Sequence, residues 1–170
     1  MLNRKNLVVV VALVLMVSML AGCAAGNAML ERDVTIDPAA AMAAQQKAIA
    51  GLGSGQVEWT EQEFSSLLTL LIQQNLGTDM ISGVKANFDP SGLTLAVGTP
   101  MGEAVLKGNI MVEDNILKVN LDEASAMGME AVGPILNVVQ GAINRALNDP
   151  SLGVAVDVQM GDGTLALSLQ

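Results

Sequence analysis

The sequence has no histidine, no tyrosine and a single cysteine, Cys23, and its only aromatic side chains are Trp59, Phe64 and Phe88. Each shortage removes a class of chemistry. Without imidazole or paired thiols, the nitrogen and sulfur ligands of zinc-type centres are missing. Disulfide staples are excluded too, so stability rests on the core alone. Nucleophilic catalysis needs a base beside a serine or cysteine. Of eight serines beyond residue 23, Ser54, Ser91 and Ser151 lie in turn-like stretches; a serine–lysine dyad survives as an option, but no Ser-x-x-Lys string is expected. Three aromatics are too few to build stacking platforms for bases or sugars. Basic residues are scarce as well, 8 Lys and Arg against 17 Asp and Glu. That balance repels nucleic acid and anionic headgroups. No cofactor and no enzymatic activity are expected.

What is present begins at the amino terminus. Arg4 and Lys5 precede an uncharged run from Leu7 to Leu20, broken only by the hydroxyl of Ser18. As a helix it would rise about 21 Å, short of a hydrocarbon core of about 30 Å. A basic start, a short apolar stretch and then small residues is the layout of a secretory signal. It is followed by Leu20-Ala21-Gly22-Cys23. This string resembles the lipobox of bacterial lipoproteins, which implies cleavage before Cys23 and a diacylglyceryl group, with palmitate-type chains, on its sulfur. Two or more acyl chains hold a protein stably at a membrane, where one holds it marginally. The resemblance therefore implies an extracytoplasmic protein, lipid-anchored to the cell membrane, or to an outer membrane where one exists. Ala24 resembles the residue found in lipoproteins sent onward rather than retained. Without residues 1–22 the chain loses Arg4 and Lys5, so 17 acids face 6 bases and the net charge is −11.

Residues 23–33 read as a lipidated tether. Residues 34–55 read as a short extended piece, an alanine-rich helix and a linker, with Asp37 as N-cap, Pro38 at the first helical position and Gly51 and Gly53 as terminators near Ala50. So alanine-rich a helix has a thin packing face, and weak docking or a spacer role is expected. Residues 56–170 read as one domain. Thr60 and Glu63 form a capping box, with Trp59 and Phe64 as its hydrophobic staple. Phe64, Leu67, Leu68 and Leu71 follow at helical spacing, widened by Leu70, Ile72 and Leu76 until the helix must be enclosed.

Four strands then alternate with period two: Val84, Ala86 and Phe88; Leu93, Leu95 and Val97; Leu106, Ile110 and Val112; Leu117, Val119 and Leu121. One apolar and one polar face per strand predicts an antiparallel sheet covered on one side. A helix from Pro134 to before Pro150 follows, with Ile135, Leu136, Val139, Ile143, Ala146 and Leu147 apolar and Asn137, Gln140 and Asn144 wet. A hairpin across Gly161-Asp162-Gly163 closes the chain. The predicted class is α+β: an antiparallel sheet of about six strands curved over one or two apolar helices, in the order helix, four strands, helix, two strands.

The remaining clusters read as structure. Glu58, Glu61 and Glu63 gather at a helix start, where the dipole favours negative charge. Glu113-Asp114-Asn115 and Asp162 lack calcium-loop spacing and read as turns, so no metal site is assigned. Methionine is the compositional oddity, with eight beyond Cys23. Flexible thioethers fill irregular gaps or line adaptable apolar sites. The alternatives are a methionine-filled core and a groove for acyl chains with its mouth at residues 124–133.

A lipidated tether, a capped helix, an antiparallel meander, "GPILNVVQGAINRAL" and a closing hairpin together resemble the small extracytoplasmic bacterial domains of the YpmS-like and LmeA-like type, over residues 56–170. The resemblance implies half of a tubular lipid-binding fold and contact with lipid. The expected function is burial of a lipid or other apolar ligand between sheet and helices, by Leu68, Leu71, Leu95, Leu106, Ile110, Val119, Met127, Met129 and Ile143. The alternative is a structural or adaptor lipoprotein with a packed core and an envelope protein as partner. Either way the membrane is a partner through Cys23 and nucleic acid is not.

Overall fold

The computed structural model describes residues 30–76, 81–100, 102–126, 129–130, 133–148 and 154–169. Its elements are α1 (Pro38–Ser54), β1 (Gln56–Thr60), α2 (Glu61–Leu76), β2 (Gly83–Asp89), β3 (Gly92–Thr99), β4 (Gly102–Glu113), β5 (Ile116–Ala126), β6 (Met129–Glu130), α3 (Gly133–Leu147), β7 (Ala155–Met160) and β8 (Thr164–Leu169). The fold is α+β with antiparallel pairing throughout.

The expected single sheet is two. The meander β2-β3-β4-β5 with the short β6 makes one, and β1-β8-β7 makes the other. The difference arises at Gln56–Thr60, a strand of alternating burial whose Val57 and Trp59 stand opposite Leu167 and Leu165. β1 thus takes β8 as partner, and the closing hairpin belongs to a separate sheet, with β7 lying against β4 and β5. Asp114 and Asn115, both at positive φ (55° and 63°), make the two-residue turn between β4 and β5, a conformation these side chains tolerate and whose twist suits a hairpin. Within that pair the register shifts at Lys107/Gly108. A Cβ on Gly108 would stand 2.0 Å from the Asn120 carbonyl oxygen, so only glycine permits this approach. Leu117, Val119 and Leu121 keep step with Val112, Ile110 and Gly108 on the buried side, and the bulge sets Ala124 instead of Glu123 opposite Leu106.

The capping box and staple form as expected. Thr60 Oγ1 accepts from the Glu63 N–H at 3.3 Å, Glu63 Oε2 accepts from the Thr60 N–H at 2.9 Å, and the Trp59 and Phe64 rings lie 6.2 Å apart. Asp37 caps α1 by accepting from the Ala39 N–H at 2.9 Å. α1 then runs past the expected stop near Ala50 to Ser54, where Gly55 at φ 75° ends it. Gly51 is no terminator: it is a point of close approach, with Gln56 O 2.9 Å from a notional Cβ. Nor is α1 a loosely docked spacer. Ala41, Ala44, Ala48 and Gly51 are buried, and Ala44 and Ala48 join the core. Small residues on one face let the backbone itself approach α2 and β1 closely.

α2 sits on the free edge of the larger sheet. Glu61, Ser65, Thr69 and Gln73, four residues apart, meet the backbone of Phe88, Ala86, Val84 and Ser82, two residues apart. Four residues of helix rise about 6.0 Å and two of strand about 6.6 Å, so the two rows stay in step. Glu61, Ser65 and Thr69 accept from the N–H groups at 2.7, 2.8 and 2.9 Å, and Gln73 donates to the Ser82 carbonyl at 3.1 Å. The opposite edge is closed in the same way. Asn144 accepts from the Val119 N–H at 2.7 Å and donates to its carbonyl at 3.0 Å, and Gln140 accepts from the Leu121 N–H at 3.1 Å. Gln140 and Asn144 are therefore not the wet side of α3, as expected, but its contact with β5. Gly141 between them faces open space, so close packing does not explain it.

Of the buried polar side chains among the described residues, Glu61, Ser65 and Thr69 belong to this seam, while Ser66 accepts from the Asp37 N–H at 3.0 Å and Asn87 bonds to the Arg32 backbone. Thr69→Val keeps the shape of the side chain and removes both of its bonds to Val84. It is expected to cost about 1–3 kcal/mol by leaving a buried backbone pair without partners. A fall in the urea midpoint at unchanged slope is the measurement, and an unchanged midpoint would mean the seam is incidental.

Candidate functional site

The expected ligand-lining residues do come together. Leu68 and Leu71 on α2, Leu95 on β3, Leu106 and Ile110 on β4, Val119 on β5 and Ile143 on α3 belong to one cluster, none more than 5% exposed. They are covered by one another and by the aromatic side chains, with Phe64 and Phe88 edge to face at 5.2 Å. Met127, the side chain of Met129 and Cys23 lie outside the described residues; of the mouth expected at residues 124–133 the backbone is described in part, where the end of β5 pairs with β6. Of the described methionines, Met160 packs against the core and Met42 and Met111 are exposed.

Of three surface hollows among the described residues, two have mainly polar linings and the third is more apolar than polar, and none is lined by those core residues. The widest, about 590 Å³, lies between Glu31 and Arg32, the Asp89–Gly92 turn and the bulge at Lys107–Gly108, with Asp122 and Glu123 on its margin. A second, about 490 Å³, lies on the outward side of the three-stranded sheet beside Glu58 and Asp157. A third, about 380 Å³, lies between α1 and β1 beside Lys47.

Polar chemistry concentrates where the amino-terminal segment joins the fold. The Arg32 guanidinium donates to Glu61 at 2.8–3.0 Å, to Asp162 and to the Phe88 carbonyl. Its backbone exchanges two bonds with the Asn87 amide, at 3.1 and 3.2 Å. Sequence reasoning assigned no role to Arg32. The available signal was a lone arginine beside a short extended stretch in an acid-rich chain. Hydrogen bonding to Glu61 raises the Arg32 pKa. Burial pushes the Glu63 carboxyl up, but the hydrogen bonds from Lys47 and from the Thr60 N–H outweigh it and hold it below the usual glutamate range. The Ser91 N–H and hydroxyl hold Asp89 low. Glu113 and Lys118, 2.6 Å apart, push each other away from neutrality. Each of these shifts stabilises the charged form near pH 7, the behaviour of structural ion pairs rather than of proton carriers.

One Ser-x-x-Lys string does occur, at Ser82-Gly83-Val84-Lys85, contrary to the expectation of none. Lys85 Nζ instead faces Asp33 at 3.5 Å. Three residues along a strand also place two side chains on opposite faces. Among the described residues no three acidic side chains are grouped to hold a metal, and no helix is long and apolar enough to cross a membrane. No protein-family model, curated protein or solved structure matches this chain.

Proposed function

We propose that the chain is an extracytoplasmic lipoprotein, directed outward by residues 1–22 and anchored through acyl groups on Cys23, whose close-packed domain is a structural or adaptor module acting through its surface on an envelope protein. The observation that carries the adaptor reading is the filling of the interior. Seven side chains that would line an apolar groove are at most 5% exposed and bury one another. Sites for apolar ligands are concave and mostly apolar, about 300–1,000 Å³; two of the hollows described here are mainly polar, and the third, between α1 and β1, is wide open to solvent and lined by none of the seven. Carriage of an acyl chain by the same residues would require the helices to part from the sheet. The anchor reading is supported by the Leu20-Ala21-Gly22-Cys23 string and by the apolar run before it.

Two measurements test the two halves. In a bacterium fed an alkyne fatty acid, the wild-type chain is expected to take up the label and lose residues 1–22. Cys23→Ser is expected to lose the label entirely and accumulate unprocessed. Label that persists in Cys23→Ser, or that never enters wild type, would remove the anchor. For the adaptor half, native and denatured masses of the wild-type protein released from detergent micelles are expected to agree. A stoichiometric excess of several hundred daltons in the native spectrum alone would replace the adaptor with an apolar-ligand carrier.

A further inference from the structure

α1 is built inside out. Its small residues Ala41, Ala44, Ala48 and Gly51 face the fold, while Met42, Ile49 and Leu52 stand in solvent at 56%, 64% and 50% exposure. Seven and three residues apart, they lie on one side of the helix, along about 15 Å. Gln45 and Gln46 are the polar side chains between them. Lys47, the helix's one charge, is drawn to Glu63 at 2.7 Å. None of the chain's 17 acidic residues lies on α1. An apolar, acid-free face of this kind on a strongly acidic protein marks a place of contact.

Two ion pairs fix where this face lies relative to the chain's entry into the fold. Arg32 binds Glu61 at 2.8 Å and Lys47 binds Glu63 at 2.7 Å, and both acids stand in the first turn of α2. The middle of α1 and the point where the amino-terminal segment joins the fold are therefore at the same end of the molecule. Six residues separate Cys23 from Leu30, the first described residue, so seven Cα steps give a reach of at most about 25 Å. A domain of this size has a radius of gyration of about 14 Å, so the link is shorter than the domain is wide.

We infer that the outer face of α1 rests on the phospholipid bilayer that holds Cys23, with Met42, Ile49 and Leu52 entering the headgroup region. This rests on the lipid-anchor reading above. Anchoring through so short a link keeps the domain at high effective concentration against the membrane. A modest apolar stripe then suffices, where a free protein would need a longer amphipathic helix. Charge selects the same face. The acidic remainder of the surface is repelled by anionic headgroups, and α1 brings no acid to them.

The test uses the full lipoprotein in vesicles of phosphatidylcholine and phosphatidylglycerol. A polarity-sensitive fluorophore is placed on the thiol of Ile49→Cys or, for comparison, of Met111→Cys, a 40% exposed site on β4. With the Cys23 sulfur acylated, the introduced thiol is the one that labels. The probe at 49 is expected to shift to the blue and to be quenched by spin-labelled lipid at least about threefold more than the probe at 111. Equal quenching at the two sites would overturn the inference. So would a blue shift without lipid quenching, or oxidative linkage of two chains through position 49, which would put a protein partner or a second copy on the stripe. Two labels per chain would mean that Cys23 is a free thiol and would sink the anchor reading itself. One label on a water-exposed probe would sink this inference alone.

Discussion

Trp59→Ala is expected to cost about 3–5 kcal/mol, a large part of a total stability of about 5–15 kcal/mol. Trp59 is fully buried and joins four elements. It is the fourth residue of β1 and stands opposite Leu165 of β8. Its indole N–H donates to the Ala44 carbonyl of α1 at 3.0 Å. Its ring leans on Phe64 of α2, which in turn meets Phe88 of β2. Truncation removes the largest side chain in a core that has no disulfide to support it, and α1 loses the contact that its alanines cannot replace. Trp59→Phe separates the two contributions. It keeps most of the ring and removes the indole N–H, whose partner carbonyl retains its helical bond, so a loss of about 1 kcal/mol is expected. Urea denaturation followed by far-ultraviolet circular dichroism reads both variants, since the only tryptophan is the residue replaced. A loss below about 1 kcal/mol for Trp59→Ala would mean that α1 is held by something other than this contact.

The parts of the fold legible in the sequence are those written in local chemistry. Thr60 with Glu63, Asp37 with Pro38, Asp114 with Asn115 and the alternation along Leu93–Val97 and Leu117–Leu121 each specify their element within a few residues. The second sheet is not local. β1 spans five residues, and its partners lie more than a hundred positions away at Leu165 and Leu167. Two apolar residues in alternation are too short a signal to name that partner. The edge seams were hidden for a different reason. A glutamine or asparagine on a helix reads as solvent-facing because water satisfies an amide, yet the backbone of a strand edge satisfies it equally well. Gln140 and Asn144 show this on β5. The usable signal on α2 was a row of polar residues at 61, 65, 69 and 73 in a helix otherwise too apolar to face water. α1 concealed its orientation because alanine on every side leaves no moment to read. The proposed groove residues share an ambiguity of the same kind. An apolar sheet face has one appearance in sequence, whether its own helices or a ligand fill the space above it.

Glu61→Ala is expected to cost about 1–3 kcal/mol, because it leaves the buried Phe88 N–H without its acceptor, while Arg32, 35% exposed, turns to water. Glu61 is 8% exposed at the first position of α2. Its Oε1 accepts from the Phe88 N–H at 2.7 Å and from Arg32 Nη2 at 2.8 Å, and both of its oxygens accept from Arg32 Nε at 3.0 Å. Alanine leaves the guanidinium only Asp162 and the Phe88 carbonyl as protein partners. It also removes a negative charge from the positive end of a helix dipole. Glu61→Gln keeps an acceptor for Phe88 and gives up the charge, so it should fall between wild type and alanine. The local consequence is as specific as the global one. Hydrogen exchange at the amides of Arg32 and Phe88 should quicken in both variants before exchange at Leu95 in the sheet centre does. Stability within about 1 kcal/mol of wild type, with those amides still protected, would show that the segment around Arg32 is held by its Asn87 bonds and not by the charge cluster. In an anchored protein the distinction bears on function. On the proposed anchoring at Cys23, a pull on the chain would reach the Arg32 contacts with Glu61, Phe88 and Asn87, nine residues on, before it reached α1.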